Sequence, residues 1–244
     1  MGDEYAILFL VRFLPCPARL NASFQTRPHM PSTTLDHLVI TAPSLEAGIE
    51  YVRRTLGVPM EAGGRHARMG THNALLRLGN AQYLEVIAID PDAPAPPRPR
   101  WFGLDPTGAA RPPRLAAWVA RTSDIQEASR AVPHILGEPE TMSRGELTWR
   151  ITIPADGSLP FEGVAPMLIE WTTRPHPAER LPDRGCAILR FEAFHPQAER
   201  INDLLRTLGF AAPLAAPGSI PGLVAHIQTP RGLRRLGPLG DNHG

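Results

Sequence analysis

Cys16 and Cys186 are the only cysteines in 244 residues. They lie far apart and outside any metal-ligand spacing, which argues against a disulfide framework and for a reducing, cytoplasmic setting. A surplus of one charge is also missing, since 25 Lys and Arg stand against 24 Asp and Glu. No strong field therefore steers the chain to nucleic acid or to an anionic membrane. No apolar run approaches the roughly 20 residues that cross a bilayer. A phosphate-binding glycine loop is lacking, because Gly63-Gly64 has neither the spacing nor the lysine, so no nucleotide cofactor is expected. No Ser-His-Asp or Cys-His arrangement stands in a recognisable nucleophile context.

What the chain does have is proline, 28 residues of it, gathered in a few stretches that mark joints. Apolar residues make up 43%, the balance of a globular protein long enough to bury a core. Near the start, the apolar residues 6–11 follow the acidic Asp3 and Glu4 and stop at Arg12. A secretory signal has a basic start and a longer run. Residues 1–29 carry no periodicity and read as a disordered or over-extended tail, with the folded part beginning near Met30.

Between those joints a pattern repeats. Residues 35–41 form a β-rich run ending at Ala42-Pro43. Ser44 is a helix N-cap, Leu45, Ile49, Val52 and Leu56 keep helical spacing, and Gly57 stops the helix. A short extended piece at 58–60 and a glycine-rich basic loop at 63–70 follow. Two more strands lie at 73–78 and 83–89, joined by the Gly79-Asn80 turn. The order is β-α-β-β-β for residues 30–89. Residues 90–113 are a Pro-rich linker in which Trp101-Phe102-Gly103 could dock on the domain.

The pattern then returns over 114–180: a strand at 114–121, Ser123 as N-cap, a stripe of Ile125, Ala128 and Val132, then strands at 146–154 and 166–173. His37 aligns with Trp118, 81 residues on, and Glu85 with Glu170, 85 residues on. Loop variation absorbs the difference of four, and fixed-period self-similarity marks a duplicated architecture. Residues 181–236 read as a partial third module, and 237–244 as a tail.

Strand alternation puts Leu35, His37 and Val39 on one face of the first strand, and Tyr83, Glu85 and Ile87 on one face of the fourth. An ionised glutamate in an apolar strand is costly to bury without a partner. Two such carboxylates at equivalent positions, with one histidine, invite a divalent cation. His72, in Gly70-Thr71-His72-Asn73, could serve as an acid or base near neutral pH. Arg65 and Arg68 could hold an anionic substrate by charge-assisted hydrogen bonds, against the plainer reading of surface solvation.

The opening Leu35-Asp36-His37-Leu38-Val39, with its helix ending in Leu56-Gly57-Val58, resembles a module of the vicinal-oxygen-chelate superfamily. The stretch from Gly70-Thr71-His72-Asn73 through Gly79 to Tyr83-Leu84-Glu85-Val86-Ile87 is similar to its glyoxalase-like domain subgroup. The resemblance covers residues 34–174 well and 185–236 loosely. It implies an α+β fold of paired βαβββ modules forming a cupped sheet around a metal. By position it makes His37, Glu85 and Glu170 the metal ligands, with Trp118 at a fourth place that an indole N–H cannot fill. Three ligands with open positions still suit a catalytic Zn, Mn, Fe or Ni ion.

The expectation is a metal-dependent isomerase or lyase for a small oxygenated substrate. The metal would stabilise an oxyanion or enolate, with Glu85 and His72 as catalytic groups. Arg65, Arg68, Asn73 and Trp118 would bind the substrate. The alternative is a metal-free protein that sequesters a small molecule, with Trp118 and Trp171 stacking on a flat ligand. The spare sheet edges leave room for a homodimer or a purely structural interaction role.

Overall fold

The computed structural model describes residues 33–105, 111–212 and 214–237. The two expected tails lie, but for residue 237, outside them. The first module runs β1 (Thr34–Thr41), α1 (Leu45–Leu56), β2 (Glu61–His66), β3 (Thr71–Arg77) and β4 (Tyr83–Ile89). Helix α1 forms where its caps and stripe place it. Ser44 Oγ accepts the Ala47 N–H at 3.2 Å, and Gly57 takes the left-handed conformation that closes the C-terminus. Gly48, Val52 and Leu56 turn inward.

The basic loop expected at 63–70 begins as a strand instead, since β2 occupies Glu61–His66. Two close approaches explain its glycines. A Cβ on Gly63 would lie 2.0 Å from Asn73 Oδ1, and one on Gly64 would lie 2.6 Å from Arg144 Cδ. Only glycine lets those side chains cross the strand here.

The second module runs β5 (Arg114–Arg121), α2 (Ile125–Ser129), α3 (Pro133–Leu136), β6 (Glu138–Arg144), β7 (Leu147–Ile153) and β8 (Met167–Trp171). Asp124 rather than Ser123 caps α2, accepting the Glu127 N–H at 2.9 Å. The single helix expected there is broken in two, with Pro133 starting the second piece. Strand β6 was not legible, because Glu138–Arg144 is mostly polar and lies at the sheet edge.

The modules share one eight-stranded sheet in the order β2-β3-β4-β1-β5-β8-β7-β6. In each, the first strand pairs parallel with the last, and β1 and β5 meet antiparallel at the centre. This is the α+β fold of paired βαβββ modules.

Residues beyond 181 repeat the element order but not the pairing. After the short helix α4 (Pro177–Arg180), they form β9 (Ala187–His195), α5 (Ala198–Thr207), β10 (Ala215–Pro217), β11 (Gly222–Thr229) and β12 (Gly232–Leu236). Here the first strand lies between β10 and β11, in a separate sheet of order β10-β9-β11-β12. This unit covers the helix side of the large sheet, where Ile201, Leu204, Leu205 and Leu208 of α5 join one core with Val52, Leu56 and Trp118. A second core fills the concave side around Val39, Val119, Trp149, Ile151, Met167 and Ile169.

Trp118 belongs to the helix side. Its ring is 1% exposed and packs edge-on against Phe191 and Phe210, and its indole N–H donates to the Val164 carbonyl at 2.8 Å. Trp118→Ala should therefore cost about 3–5 kcal/mol of stability in a denaturant titration, the range for emptying a large aromatic site. Unchanged stability would place the ring outside the core.

Candidate functional site

A one-residue bulge sets the site. Across the β1–β5 pairing, Leu35 lies opposite Ala120 and His37 opposite Val119, so Asp36 is an extra residue with no partner of its own. Such a bulge re-aims side chains. It sends Leu35 to the helix-side core, against the strict alternation, and lets Asp36 and His37 meet. Asp36 is fully buried. Its Oδ1 bonds His37 Nδ1 at 2.7 Å, and its Oδ2 bonds His176 at 2.9 Å and the Trp171 indole N–H at 3.2 Å.

On the far side of His37, Nε2 lies 3.5 Å from Glu85 Oε2. The ring of Tyr83 stacks on the imidazole at 4.4 Å. The other oxygen of Glu85 accepts the Asn73 side-chain N–H at 2.5 Å. Asn73 Oδ1 accepts in turn from Arg144 Nη1 at 2.8 Å and from the Gly64 N–H at 2.9 Å. Arg144 reaches across from β6, so this polar chain joins both modules.

The chain faces a cavity of about 30 Å³, with His66, Leu75, Trp101, Phe102, Trp149 and Ile169 among its other walls. That is room for a water or two. The cup is otherwise filled. Trp101 and Phe102, from the short turn Trp101–Gly103, are packed into it, with the Trp101 N–H bonded to Thr71 Oγ1 at 3.2 Å. Phe102 holds a φ of 57°, a conformation strained for a residue with a side chain.

These contacts set the charges. Burial alone would lower the His37 pKa, but its hydrogen bonds to Asp36 and Glu85 outweigh that and raise it to about 9. Burial would raise Glu85, yet His37 above all, with His66 and Asn73, brings it down to about 2. For Asp36 too, burial is overcome by the bonds from His176 and His37, which hold it well below the usual range. His66 goes the other way: burial first, then Arg144, lowers it to about 4, so its ring is neutral. The cup thus holds an imidazolium clamped between two carboxylates.

Of the residues expected to act, His37, Glu85 and Asn73 come together. Glu170 does not join them, because it points to the helix side. There its carboxylate accepts the Ile125 N–H at 3.3 Å and lies 3.6 Å from Arg150. Trp118 is on that side as well. His72 alternates away from the cup that Thr71, Asn73 and Leu75 face, and its buried Nε2 has no hydrogen-bond partner among the described residues. Arg65 is an exposed partner of Asp90 and Asp92. Arg68 binds Glu140 and the Thr141 carbonyl on β6, tying the modules at their rim.

Sequence reasoning missed Asp36, His66, Arg144 and His176. Asp36 and His66 adjoined residues already of interest, but only the bulge and the strand character of β2 bring them inward. Arg144 and His176 arrive from distant parts of the chain.

The metal expectation meets the same geometry. With Glu170 and Trp118 on the other face, two of the three implied ligands converge, and both His37 nitrogens already face carboxylate oxygens. Among the described residues, no group of three or more His, Cys, Asp and Glu side chains is arranged to hold an ion. The donor set does not fit a divalent ion held by three protein ligands.

Comparison with known proteins follows the fold. Residues 35–209 match the family described as glyoxalase-like domain. A hypothetical protein from Staphylococcus aureus is similar over 83% of this chain and 84% of its own, with 12% identity and a TM-score of 0.52. A Streptomyces coelicolor methylmalonyl-CoA epimerase in complex with 2-nitronate-propionyl-CoA is 21% identical, over 60% of this chain and 99% of its own, with a TM-score of 0.41. The epimerase from Mycobacterium tuberculosis is 19% identical, over 58% and 88%, with a TM-score of 0.36. No curated protein matches. No helix among the described residues is long and apolar enough to cross a membrane.

Two measurements test the clamp. His37 is raised from 6.5 to about 9, so its contribution to stability is full below pH 6.5 and is lost as pH rises through 9. Asp36→Asn should bring the His37 imidazole titration, followed by NMR, down by more than one unit. It should also cost about 3–5 kcal/mol near pH 6, as expected for stripping one partner from a buried pair, with the difference shrinking above pH 9. An unchanged His37 titration would show that Asp36 does not hold the proton.

Proposed function

Since this chain belongs to the glyoxalase-like domain family of the vicinal-oxygen-chelate superfamily, we propose that it catalyses proton transfer on a small oxygenated substrate, as an isomerase or lyase acting through an oxyanion. One observation carries the reading: a buried carboxylate, Glu85, lies 3.5 Å from the ring nitrogen of His37 and with the guanidinium of Arg144 lines one cavity. Apolar walls with a few convergent polar groups of shifted pKa are the marks of a reactive site.

In this reading Glu85 takes a proton from the carbon next to a substrate carbonyl. The electron pair left on carbon moves onto the carbonyl oxygen, and Arg144 and the His37 N–H stabilise the charge that gathers there. The same carboxylate then returns the proton, to the same carbon or to a neighbour. A carboxylate of such low pKa is a weak base at rest. When substrate oxygen competes for the His37 N–H, Glu85 loses its partner while staying buried, and its basicity rises. Asn73 keeps the carboxylate aimed through its 2.5 Å bond. Asp36 holds His37 protonated from behind. Because the cavity admits only water-sized molecules, substrate entry requires Trp101 and Phe102 to withdraw.

The alternative, sequestration of a small molecule without turnover, is favoured by the rings of Trp101, Trp149 and Trp171 around the cavity.

The test is exchange in D2O with a panel of small 2-oxo and 2-hydroxy acids and their aldehydes, read by NMR. Deuterium should enter at the carbon next to the carbonyl, and Glu85→Gln should slow this by roughly 10²–10⁴-fold, the usual loss of a general base. Binding without exchange in the wild type would establish sequestration. Exchange that needs added metal, and vanishes with chelator, would sink the metal-free mechanism in favour of metal-assisted chemistry.

A further inference from the structure

A second space opens on the other side of the Trp101–Gly103 turn. It is a cleft of about 900 Å³ at the end of the β1–β5 seam, where Thr41 and Arg114 are paired. Gly103, Leu104 and Asp105 form one wall, residues 156–159 with Phe161 and Glu162 the next, and Gln197 and Arg200 at the start of α5 the third. The first two walls are tied together by the Gly103 N–H donating to the Gly157 carbonyl at 2.9 Å. Its size is that of an organic ligand rather than an ion. It shares no lining residue with the buried cavity.

Four arginines face this cleft: Arg100, Arg111, Arg114 and Arg200. Its acidic groups are already engaged. Asp105 takes two bonds from Arg100, at 2.5 and 2.6 Å. Glu162 bonds His195 at 2.9 Å, and Asp156 accepts the Ser158 N–H at 3.0 Å. Among the described residues, Arg111 and Arg114 have no carboxylate partner within ion-pair distance. Arg114 is half-buried, and its pKa is pushed down by burial and then by the charge of Arg111. Two neighbouring cations with no counter-charge among the described residues repel each other, and an anion between them relieves that repulsion.

The apolar side of the cleft is equally formed. Phe161 presents its ring there beneath the Arg200 guanidinium, 5.7 Å from the ring centre. Leu104, Leu159, Pro43 and Pro221 continue that surface. Phe161 and Glu162 hold φ of 46° and 52°, and with Phe102 they are the only non-glycine residues of positive φ among the described ones. Backbone strain persists where the surroundings over-determine it, and such places cluster at ligand sites.

We propose that this cleft binds a small organic anion, a carboxylate or phosphate ester with an apolar body. Its acidic group lies between Arg111 and Arg114, and its body rests on Phe161 and Leu104. Among the described residues, no acid of the cleft lies within ion-pair distance of the two arginines, and the phenyl ring and leucine offer the apolar contact. This site is independent of the proton-transfer reading of the cup.

Calorimetric titration of the full chain with benzoate, phenyl phosphate and the neutral benzyl alcohol tests it. Benzoate or phenyl phosphate should bind and benzyl alcohol should not, which also separates the two acid chemistries. Raising NaCl from 50 to 500 mM should weaken binding several-fold. Arg111→Gln, at an exposed position that tolerates change, and Arg114→Gln should each lower affinity about tenfold. Glu85→Gln should leave it unchanged, so that failure of the cup chemistry and failure of this site read differently. Equal affinity for all three probes, no binding at all, or full binding in the Arg111→Gln/Arg114→Gln double variant would overturn the assignment.

Discussion

The buried carboxylate of Asp36 is the constraint on which the cup depends. It sits at an extra residue in the central strand and accepts from three side chains drawn from both modules and from the segment after them. A carboxylate so deeply buried stays ionised only because those donors replace water. Moving any of them would strand a charge, so the bulge, the seam between modules and the orientation of His37 are held by one group. The protonation of His37 follows from that arrangement, and the ionisation of Glu85 follows from His37.

The two halves of the cup divide the work. The first module supplies nearly all the polar wall, with His37, His66, Asn73, Tyr83 and Glu85, while the second supplies Trp149, Ile151, Ile169 and Trp171. Arg144 is the exception that crosses between them. Duplication has kept the backbone, with parallel first-to-last pairing in each module, and let the side chains diverge. Where one module offers a glutamate to the cup, the other offers aliphatic groups. That divergence is why a metal site drawn from both halves does not assemble here.

The linker has become part of the site rather than a tether. Its Trp101 and Phe102 close the cup on one side, while the residues after them wall an open, arginine-lined cleft on the other.

By itself the sequence determined the fold class, the duplication, helix α1 with both caps, and the place of His37, Asn73 and Glu85 on inner strands. These rest on local signals: side-chain periodicity, cap chemistry and the spacing of the repeat. Only the tertiary structure decided which face each strand turns inward. One bulged residue reverses the alternation around Asp36, and the slip of Glu170 and Trp118 to the helix side follows from register, which depends on pairing with distant strands. Arg144 and His176 were beyond reach for the same reason. Their partners lie more than 70 residues away, and a contact of that separation leaves no mark on the neighbouring sequence.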